Sequence, residues 1–278
     1  MTDVIDQDYG ENLVARIDTS GKRKKTFYYQ GTLTEGSSFE DITAGPDGAL
    51  WITDYYNSQI VRMTTDGAFS TFKLNAPPIG ITVGPDKALW FTEYAAIGRL
   101  TTKGSVTIYP AGTLDEDITA GPDGALWFTE TTGNAIGRIT THGKITTYTK
   151  GISSGAGPYS IAPGPDGALW FTEATGGRIG RITTSGKVTE YSRGITPTEE
   201  PVGIAAGPDG AMWFTEYETY DSYTIRDSKL GRITMTGRVS EYAKGLSGSS
   251  GPEDIVAGPD GNMWFVETFA DRTGRVTL

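Results

Sequence analysis

The sequence predicts an all-β fold of the β-propeller class, and three observations carry that prediction. Tryptophan recurs in one sequence context at intervals of 39, 37, 43, 43 and 51 residues. These tryptophans are Trp51, Trp90, Trp127, Trp170, Trp213 and Trp264. A tight turn, GPDG or once GPDK, precedes each of them, and no stretch shows the 3.6-residue period of an amphipathic helix. A period near 40 residues is typical of one propeller blade per unit.

Each unit is predicted to hold four short antiparallel strands. The fourth unit reads YSIAPGPDGALWFTEATGGRIGRITTSGKVTEYS, in which GPDG, TEATGG and TTSG separate four β-rich segments. In the GPDG turn, Pro sets φ and Gly supplies the left-handed residue, a rule that Lys87 breaks. Six units therefore predict a six-bladed propeller with four antiparallel strands per blade.

The two chain ends are predicted to close the ring together. The last unit stops at TGRVTL, after its third strand, and residues 15–29 match the third-strand, turn and fourth-strand portion of a unit. N-terminal strands that pair into the C-terminal blade would leave no sheet edge exposed. Residues 14–18 and 274–278 both match a third strand, and the sequence does not decide between them. Residues 1–278 are predicted to form one domain, with residues 1–13 as a flexible tail.

Composition and charge limit the partners. The net charge of −10 and the pI of about 4.7 argue against nucleic acid or an anionic membrane surface. There is no cysteine for a thiolate nucleophile or a zinc site. The N-terminus lacks the features of a signal peptide, and no apolar run is long enough for a membrane span. We expect a cytoplasmic protein with a small-molecule ligand or substrate, no nucleic acid or membrane partner, and a monomer as the expected oligomeric state.

Strand polarity divides the predicted propeller into two faces. Because successive strands run antiparallel, the turns GPDG and TTSG share one face, and the links after WFTE and between units share the other. Nearly all length variation lies on this second face, including the insertion YETYDSYTIRDSK in the fifth unit. The residue pair before the first-strand Ile begins the innermost strand at this face, so it is predicted to line the mouth of the central channel. A binding face is expected to combine such a constant scaffold with variable loops.

The residues at this mouth are half acidic and half aromatic or aliphatic. The pair before Ile reads Glu-Asp in PEDIVAGPDG and in two further units, and differently in the other three. We predict acid–base catalysis by Glu40, Glu116, Glu253 and Tyr159. We predict substrate contacts from Tyr55, Tyr94, Tyr217, Ile79, Val202, Asp41, Asp117 and Asp254. Strand alternation predicts that the aspartates point the opposite way from the glutamates.

The units WFTE…IGRITTSGKVTEY resemble those of the streptogramin lyases, the virginiamycin B lyase-like propellers, over nearly the whole chain. The resemblance implies a magnesium-dependent elimination that opens a cyclic depsipeptide antibiotic at its ester bond. It also implies seven units, histidines in PHG or PHA before the first-strand Ile, and an acid after the WF strand of the last blade. This chain has six units, no histidine before any first-strand Ile, and Thr268 at the acid position. Its one histidine, His142, lies in a TTHG turn on the other face.

Two hypotheses of different classes follow. Crowded carboxylates at a partly desolvated mouth should raise at least one pKa, which suits Glu or Tyr acid–base work in a lyase or cyclase. No cofactor is required, although Mg²⁺ or Ca²⁺ could bind the Glu40, Glu116 and Glu253 group, since hard cations prefer oxygen ligands. The alternative is a propeller that sequesters a peptide, sugar or antibiotic without turnover.

Overall fold

The computed structural model describes residues 2–8, 11–18, 20, 22–28, 38–221, 224–246, 248–270 and 272–278. This part of the chain consists of β-strands joined by turns. Its one helix, Thr268–Ala270, is a single 3-10 turn. No helix among these residues is long and apolar enough to cross a membrane. The all-β prediction is confirmed.

Each of the six repeats forms one blade of antiparallel strands, which confirms the six-bladed prediction. Three strands precede the repeats: β1 (Thr2–Asp8), β2 (Glu11–Ile17) and β3 (Arg23–Tyr28). Blade 1 contains β4 (Phe39–Ala44), β5 (Leu50–Asp54), β6 (Gln59–Met63) and β7 (Phe69–Lys73). Blade 2 contains β8 (Pro78–Val83), β9 (Leu89–Leu100) and the first part of β10 (Val106–Ala120). Here β9 supplies two strands of the blade, because it runs on through the short link at Ala95, whose φ is 62°.

The remaining blades follow the same order. Blade 3 contains the second part of β10, β11 (Ala125–Glu130), β12 (Ala135–Thr140) and β13 (Ile145–Tyr148). Blade 4 contains β14 (Pro158–Pro163), β15 (Leu169–Glu173), β16 (Arg178–Ile182) and β17 (Val188–Tyr191). Blade 5 contains β18 (Glu200–Ala206), β19 (Met212–Asp221), β20 (Thr224–Ile233) and β21 (Val239–Tyr242). Blade 6 contains β22 (Pro252–Ala257), β23 (Met263–Glu267) and β24 (Arg272–Val276).

The chain ends do not share a blade, and this part of the fold prediction is wrong. Within the described ranges, β24 pairs with β23, and β2 lies between β1 and β3 in a separate sheet. Residues 2–8 give β2 a second antiparallel neighbour, so both of its edges are already paired. The two segments that match a third strand, residues 14–18 and 274–278, therefore lie in different sheets, the first at β2 and the second at β24. The single-domain boundary and the flexibility of residues 1–13 stay predictions.

Neighbouring blades pack through a repeated apolar cluster. Between blades 4 and 5, Trp170 and Ile179 pack with Phe214 and Ile233. Val14 of β2 packs in the same way against buried residues of blade 1. The N-terminal sheet therefore covers the side of blade 1 on which a preceding blade would lie. Burial of these large side chains is the main source of cohesion between blades.

The aspartate of each GPDG turn anchors a tryptophan and an arginine. In blade 4, Asp166 accepts hydrogen bonds from Trp170 Nε1 (3.1 Å) and Arg181 Nε (2.6 Å). The Arg181 guanidinium lies 5.8 Å from the centre of the Trp170 ring. Burial acts to raise the pKa of Asp166, but the two hydrogen bonds outweigh it and lower the pKa. These turns are structural parts of the scaffold.

The lysine in the second turn offers a stability test. Lys87 has a φ of 60° where Gly124 has 73° in the equivalent turn. A side chain in this left-handed region costs about 1 kcal/mol. We expect Lys87→Gly to raise the free energy of unfolding by about 1 kcal/mol in urea denaturation. Gly124→Lys, the matched reverse change, should lower it by a similar amount, and a loss of stability in Lys87→Gly would contradict this account.

Candidate functional site

The residue pair before the first-strand Ile lies in a β-bulge in every blade. In blade 1, Glu40 and Asp41 together lie opposite the single residue Thr53. The other five blades show the same register shift. A bulge leaves residues unpaired and redirects their side chains. We expected the two side chains of the pair to point in opposite directions, because side chains alternate along a regular strand. The bulge interrupts this alternation, so the expectation does not apply here.

Buried threonine hydroxyls connect the bulges of four blades to the next blade. In blade 4, the Ser160 N–H donates to Thr172 Oγ1 (3.0 Å), and the Thr172 hydroxyl donates to the Val202 carbonyl of blade 5 (2.7 Å). The same pair of bonds occurs at Thr53, Thr129 and Thr215. The first residue of the pair before Ile contributes its main-chain carbonyl, whatever its own side chain. This explains why the repeat accepts Glu, Ile, Tyr or Val there.

Two bulge aspartates extend the connection between blades. Asp41 accepts hydrogen bonds from the N–H of Ile42 (2.6 Å) and from the N–H of Ile81 in blade 2 (2.7 Å). Asp117 does the same between blades 3 and 4 and also accepts the hydroxyl of Ser160. Each carboxylate therefore joins two neighbouring inner strands. In a propeller these strands surround the central channel.

The three aspartates of the Glu-Asp pairs influence one another. Burial raises the pKa of Asp41, and repulsion from Asp117 and Asp254 adds to the shift. Burial also raises the pKa of Asp117, and that of Asp254 to about 6. Asp254 is surrounded by protein yet keeps exposed surface, as expected on the wall of an open channel, where water works against the shift. The structure thus brings together acids that are far apart in the chain.

Glu253, Tyr217 and Thr268 form a second group where blades 5 and 6 meet. The Thr215 hydroxyl donates to the Glu253 carbonyl (2.6 Å), which holds the two strands side by side. Burial raises the pKa of Glu253, a hydrogen bond with the Thr268 hydroxyl lowers it, and repulsion from Glu40 raises it further. Burial, with the charge of Glu253, raises the pKa of Tyr217 to about 12. Tyr217 is therefore a protonated hydroxyl beside a basic carboxylate.

The other predicted site residues are placed as follows. Glu40 is exposed and accepts a hydrogen bond from the Ser38 hydroxyl (2.6 Å). Glu116 lies on β10, but its side chain is outside the described part of the chain. The exposed aromatic residues are Tyr55, Tyr94 and Tyr159, with 37%, 67% and 40% of their surface accessible. Ile79 is partly buried and Val202 is buried. Repulsion between Glu40 and Glu253 connects Glu40 to the group at blades 5 and 6.

Sequence reasoning missed a set of buried acids at the ends of the second strands. Burial raises the pKa of Glu93 to about 7, of Glu173 to about 8 and of Glu216 to about 9. Repulsion from neighbouring glutamates adds to the last two shifts. The signal was present in WFTE, because strand alternation places Glu on the side of the buried Phe.

One group of three carboxylates in the described part of the chain is close enough to share an ion. It consists of Glu199, Glu216 and Glu241. Glu241 belongs to the fourth strand of blade 5, so this group is separate from the inner strands. The ion site suggested at Glu40, Glu116 and Glu253 depends on an undescribed side chain and stays a prediction.

These features define a β-propeller with titratable groups and variable loops at one mouth of its channel. The sequence matches the virginiamycin B lyase family over residues 7–221. An inactive variant of virginiamycin B lyase from Staphylococcus aureus, crystallised with quinupristin, is 36% identical, with 88% of this chain and 82% of that chain covered and a TM-score of 0.79. A streptogramin B lyase structure is 31% identical, with 99% and 90% covered and a TM-score of 0.85. The chain belongs to the virginiamycin B lyase family.

More distant similarities concern the fold alone. A putative gluconolactonase is 13% identical with a TM-score of 0.61, and it covers 97% of this chain and 93% of its own. The comparison with curated proteins gives no match. Since one propeller fold serves several activities, function has to be argued from the site.

The threonine connection can be tested by removing one hydroxyl. Thr172→Val keeps the shape but leaves the Ser160 N–H and the Val202 carbonyl without their partner. We expect it to lower the free energy of unfolding by about 1–3 kcal/mol in chemical denaturation. Val266 occupies the equivalent position in blade 6, so Val266→Thr is the matched control and should change stability little. Equal effects of the two substitutions would rule out the connection.

Proposed function

We propose that this protein is a C–O lyase acting at the mouth of its central channel. Its substrate would be a cyclic depsipeptide or a related small, fairly apolar natural product, opened by elimination. Family membership supports the reaction type. Three exposed tyrosines among the predicted site residues, Tyr55, Tyr94 and Tyr159, support an apolar ligand because their rings offer flat contact surface. A cytoplasmic location and a monomeric state stay predictions.

The contact between Glu253 and Thr268 carries the proposal. Residue 253 stands where the resemblance places a family histidine, and residue 268 stands where it places the family acid. Here the first position supplies a carboxylate and the second a hydroxyl. The two positions are in contact, with Glu253 in place of an imidazole as the proton acceptor. Acid–base work can therefore proceed without histidine.

Glu253 is assigned as the general base. A raised pKa makes its carboxylate a better proton acceptor than an exposed one. It removes a proton from the carbon next to the one that bears the ester oxygen, the C–H electron pair forms the double bond, and the C–O bond breaks to release a carboxylate. Tyr217 keeps its proton and donates a hydrogen bond to the leaving oxygen. Ring closure by the reverse addition would use the same groups.

Mg²⁺, which the resemblance implies, fits the donors at this mouth. Glu253 and Glu40 repel each other, and Thr268 adds a hydroxyl. These are the hard oxygen ligands that Mg²⁺ accepts, and a cation would relieve the repulsion. When bound, the ion would act as a Lewis acid on the ester.

A second candidate is a binding propeller that sequesters the same kind of ligand without turnover. The observation in its favour is the absence of histidine at all six positions before the first-strand Ile. In that case the exposed tyrosines would carry the affinity, and the acids would matter little.

The test is incubation of the protein with quinupristin and Mg²⁺, followed by mass spectrometry. Elimination opens the ring without a change in mass and forms a new double bond, whereas hydrolysis adds one water. We expect Glu253→Gln to lower the rate by about 10²–10⁴-fold with ligand affinity largely kept. The wild-type rate should rise with pH through the raised pKa of Glu253, because only the carboxylate accepts a proton.

Asp66→Asn, in a tight turn of the opposite face, is the matched control and should leave the rate unchanged. Glu40→Gln should have a smaller effect than Glu253→Gln, because its charge acts through the pKa of Glu253. Turnover that survives Glu253→Gln would refute the assignment of the base. Binding without any turnover, together with loss of affinity in Tyr159→Ala, would establish the sequestering propeller instead.

A further inference from the structure

Blade 5 contains a buried cluster of acids outside the channel mouth. The carboxylates of Glu199, Glu216 and Glu241 have oxygens within 4.8 Å of one another. Glu199 belongs to the link between blades 4 and 5, Glu216 to β19 and Glu241 to β21. Lys229 of β20, which pairs with Glu216 across the two strands, lies among them. The cluster therefore joins the inter-blade link to the base of the long β19–β20 hairpin.

Three carboxylate oxygens in this cluster have no hydrogen-bond partner. Both oxygens of Glu216 and Oε2 of Glu199 are buried and unpaired. Glu216 has no exposed surface at all. Lys229 forms ion pairs with Glu199 Oε1 and Glu241 (3.5 Å) and donates to the Thr196 hydroxyl (2.8 Å), but it makes no hydrogen bond to Glu216. A buried carboxylate without a partner is costly, so something absent from the chain itself should neutralise it.

The net charge of the cluster also indicates that a positively charged partner is needed. Three carboxylates against one ammonium leave two negative charges when all groups are ionised. One proton would pair Glu216 with a neighbouring carboxylate but would still leave one charge in excess. One divalent cation would balance the charge and give all three unpaired oxygens a ligand role.

Blade 4 offers an internal comparison. There Glu173 and Glu190 lie beside Arg178, whose Nη1 is 3.5 and 3.6 Å from their carboxylates. Ala156 stands where blade 5 has Glu199. Two acids and one cation leave a single excess charge. Both Glu173 oxygens are also buried without a hydrogen-bond partner, but one proton on Glu173, whose pKa is raised to about 8, removes that charge. Blade 5 differs by one additional buried acid.

We propose that Glu199, Glu216 and Glu241 bind one hard divalent cation, Ca²⁺ or Mg²⁺. The ion would fix the β19–β20 hairpin to the link between blades 4 and 5, on the face that carries the variable loops. This site is independent of the proposed catalysis, because it shares no residue with the channel mouth.

Binding should compete with protons. Without an ion, burial and the charges of Glu241 and Glu199 raise the pKa of Glu216 to about 9, against the opposing charge of Lys229. Asp227 adds negative charge on the side of Glu199. Near pH 7 the ion must therefore displace a proton from Glu216, and its affinity should increase by up to about tenfold per pH unit.

The experiment is calorimetric titration of the chelator-stripped full chain with CaCl₂ or MgCl₂, in two buffers of different ionisation enthalpy. We expect a site, separate from any ion at the channel mouth, whose binding releases about one proton at pH 7. Glu216→Gln should weaken this site by about 100-fold, because it removes one ligand charge. Glu199→Ala, which gives blade 5 the composition of blade 4, should weaken it similarly and carries the test if Glu216→Gln does not fold.

Glu173→Gln, the matched change in blade 4, should leave this site unchanged. Glu253→Gln should also leave it unchanged, which separates it from an ion at the channel mouth and from any failure of the proposed catalysis. Wild-type affinity in both Glu216→Gln and Glu199→Ala would overturn the proposal. So would a wild-type chain that binds neither ion.

Discussion

The threonine hydroxyl that joins one blade to the next is the interaction on which the rest of this structure depends. It satisfies an N–H inside its own bulge and a carbonyl of the neighbouring inner strand, and it does so where no water reaches it. A buried polar pair of this kind is costly to leave unpaired, so it fixes the distance between inner strands. Thr215 makes this bond to Glu253 and thereby brings Tyr217 beside that carboxylate.

The acids of the molecule fall into two electrostatic groups. Those in the GPDG turns each accept a hydrogen bond from a tryptophan and contact an arginine, and their pKa values are lowered. Several of those at the other face are buried where the carboxylates outnumber the cations, and their pKa values are raised. The first arrangement stabilises the scaffold near neutral pH. The second group consists of acids that can exchange protons or bind a cation. A reactive or ion-binding face requires this property.

The sequence was sufficient for the blades because a period near 40 residues and the GPDG turn recur in nearly every unit, with Lys87 the one break in the turn. It failed at the chain ends, because the weak pattern of residues 2–8 gave no sign of a strand that would pair with β2. The bulge was also missed, since the pair before Ile was read with simple alternation. Thr172 and its equivalents could not be identified from the sequence, because a hydrogen bond of a buried hydroxyl does not change the hydrophobic pattern of a strand.

The blade 5 cluster shows a different limit. Glu199, Lys229 and Glu241 come from three separate segments, and the sequence places them in loops and strand ends that look solvated. Only the packing of the link against β20 and β21 shows that they are buried. The predicted site residues Glu253 and Tyr217, in contrast, were chosen because each lies at a fixed position of the repeat, before the first-strand Ile and after WFTE respectively.

The bulge also bears on how such a protein can diversify. Because the bond between blades uses the main-chain carbonyl of the first residue in the pair before Ile, Ile79, Tyr159, Val202 and Glu253 occupy equivalent places on one unchanged frame. Each blade contacts its immediate neighbours, so a replacement at one of these places is felt locally. Mutation can therefore sample new pocket chemistries one blade at a time at little expense in stability, and a scaffold of this kind is well suited to the evolution of new ligand preferences.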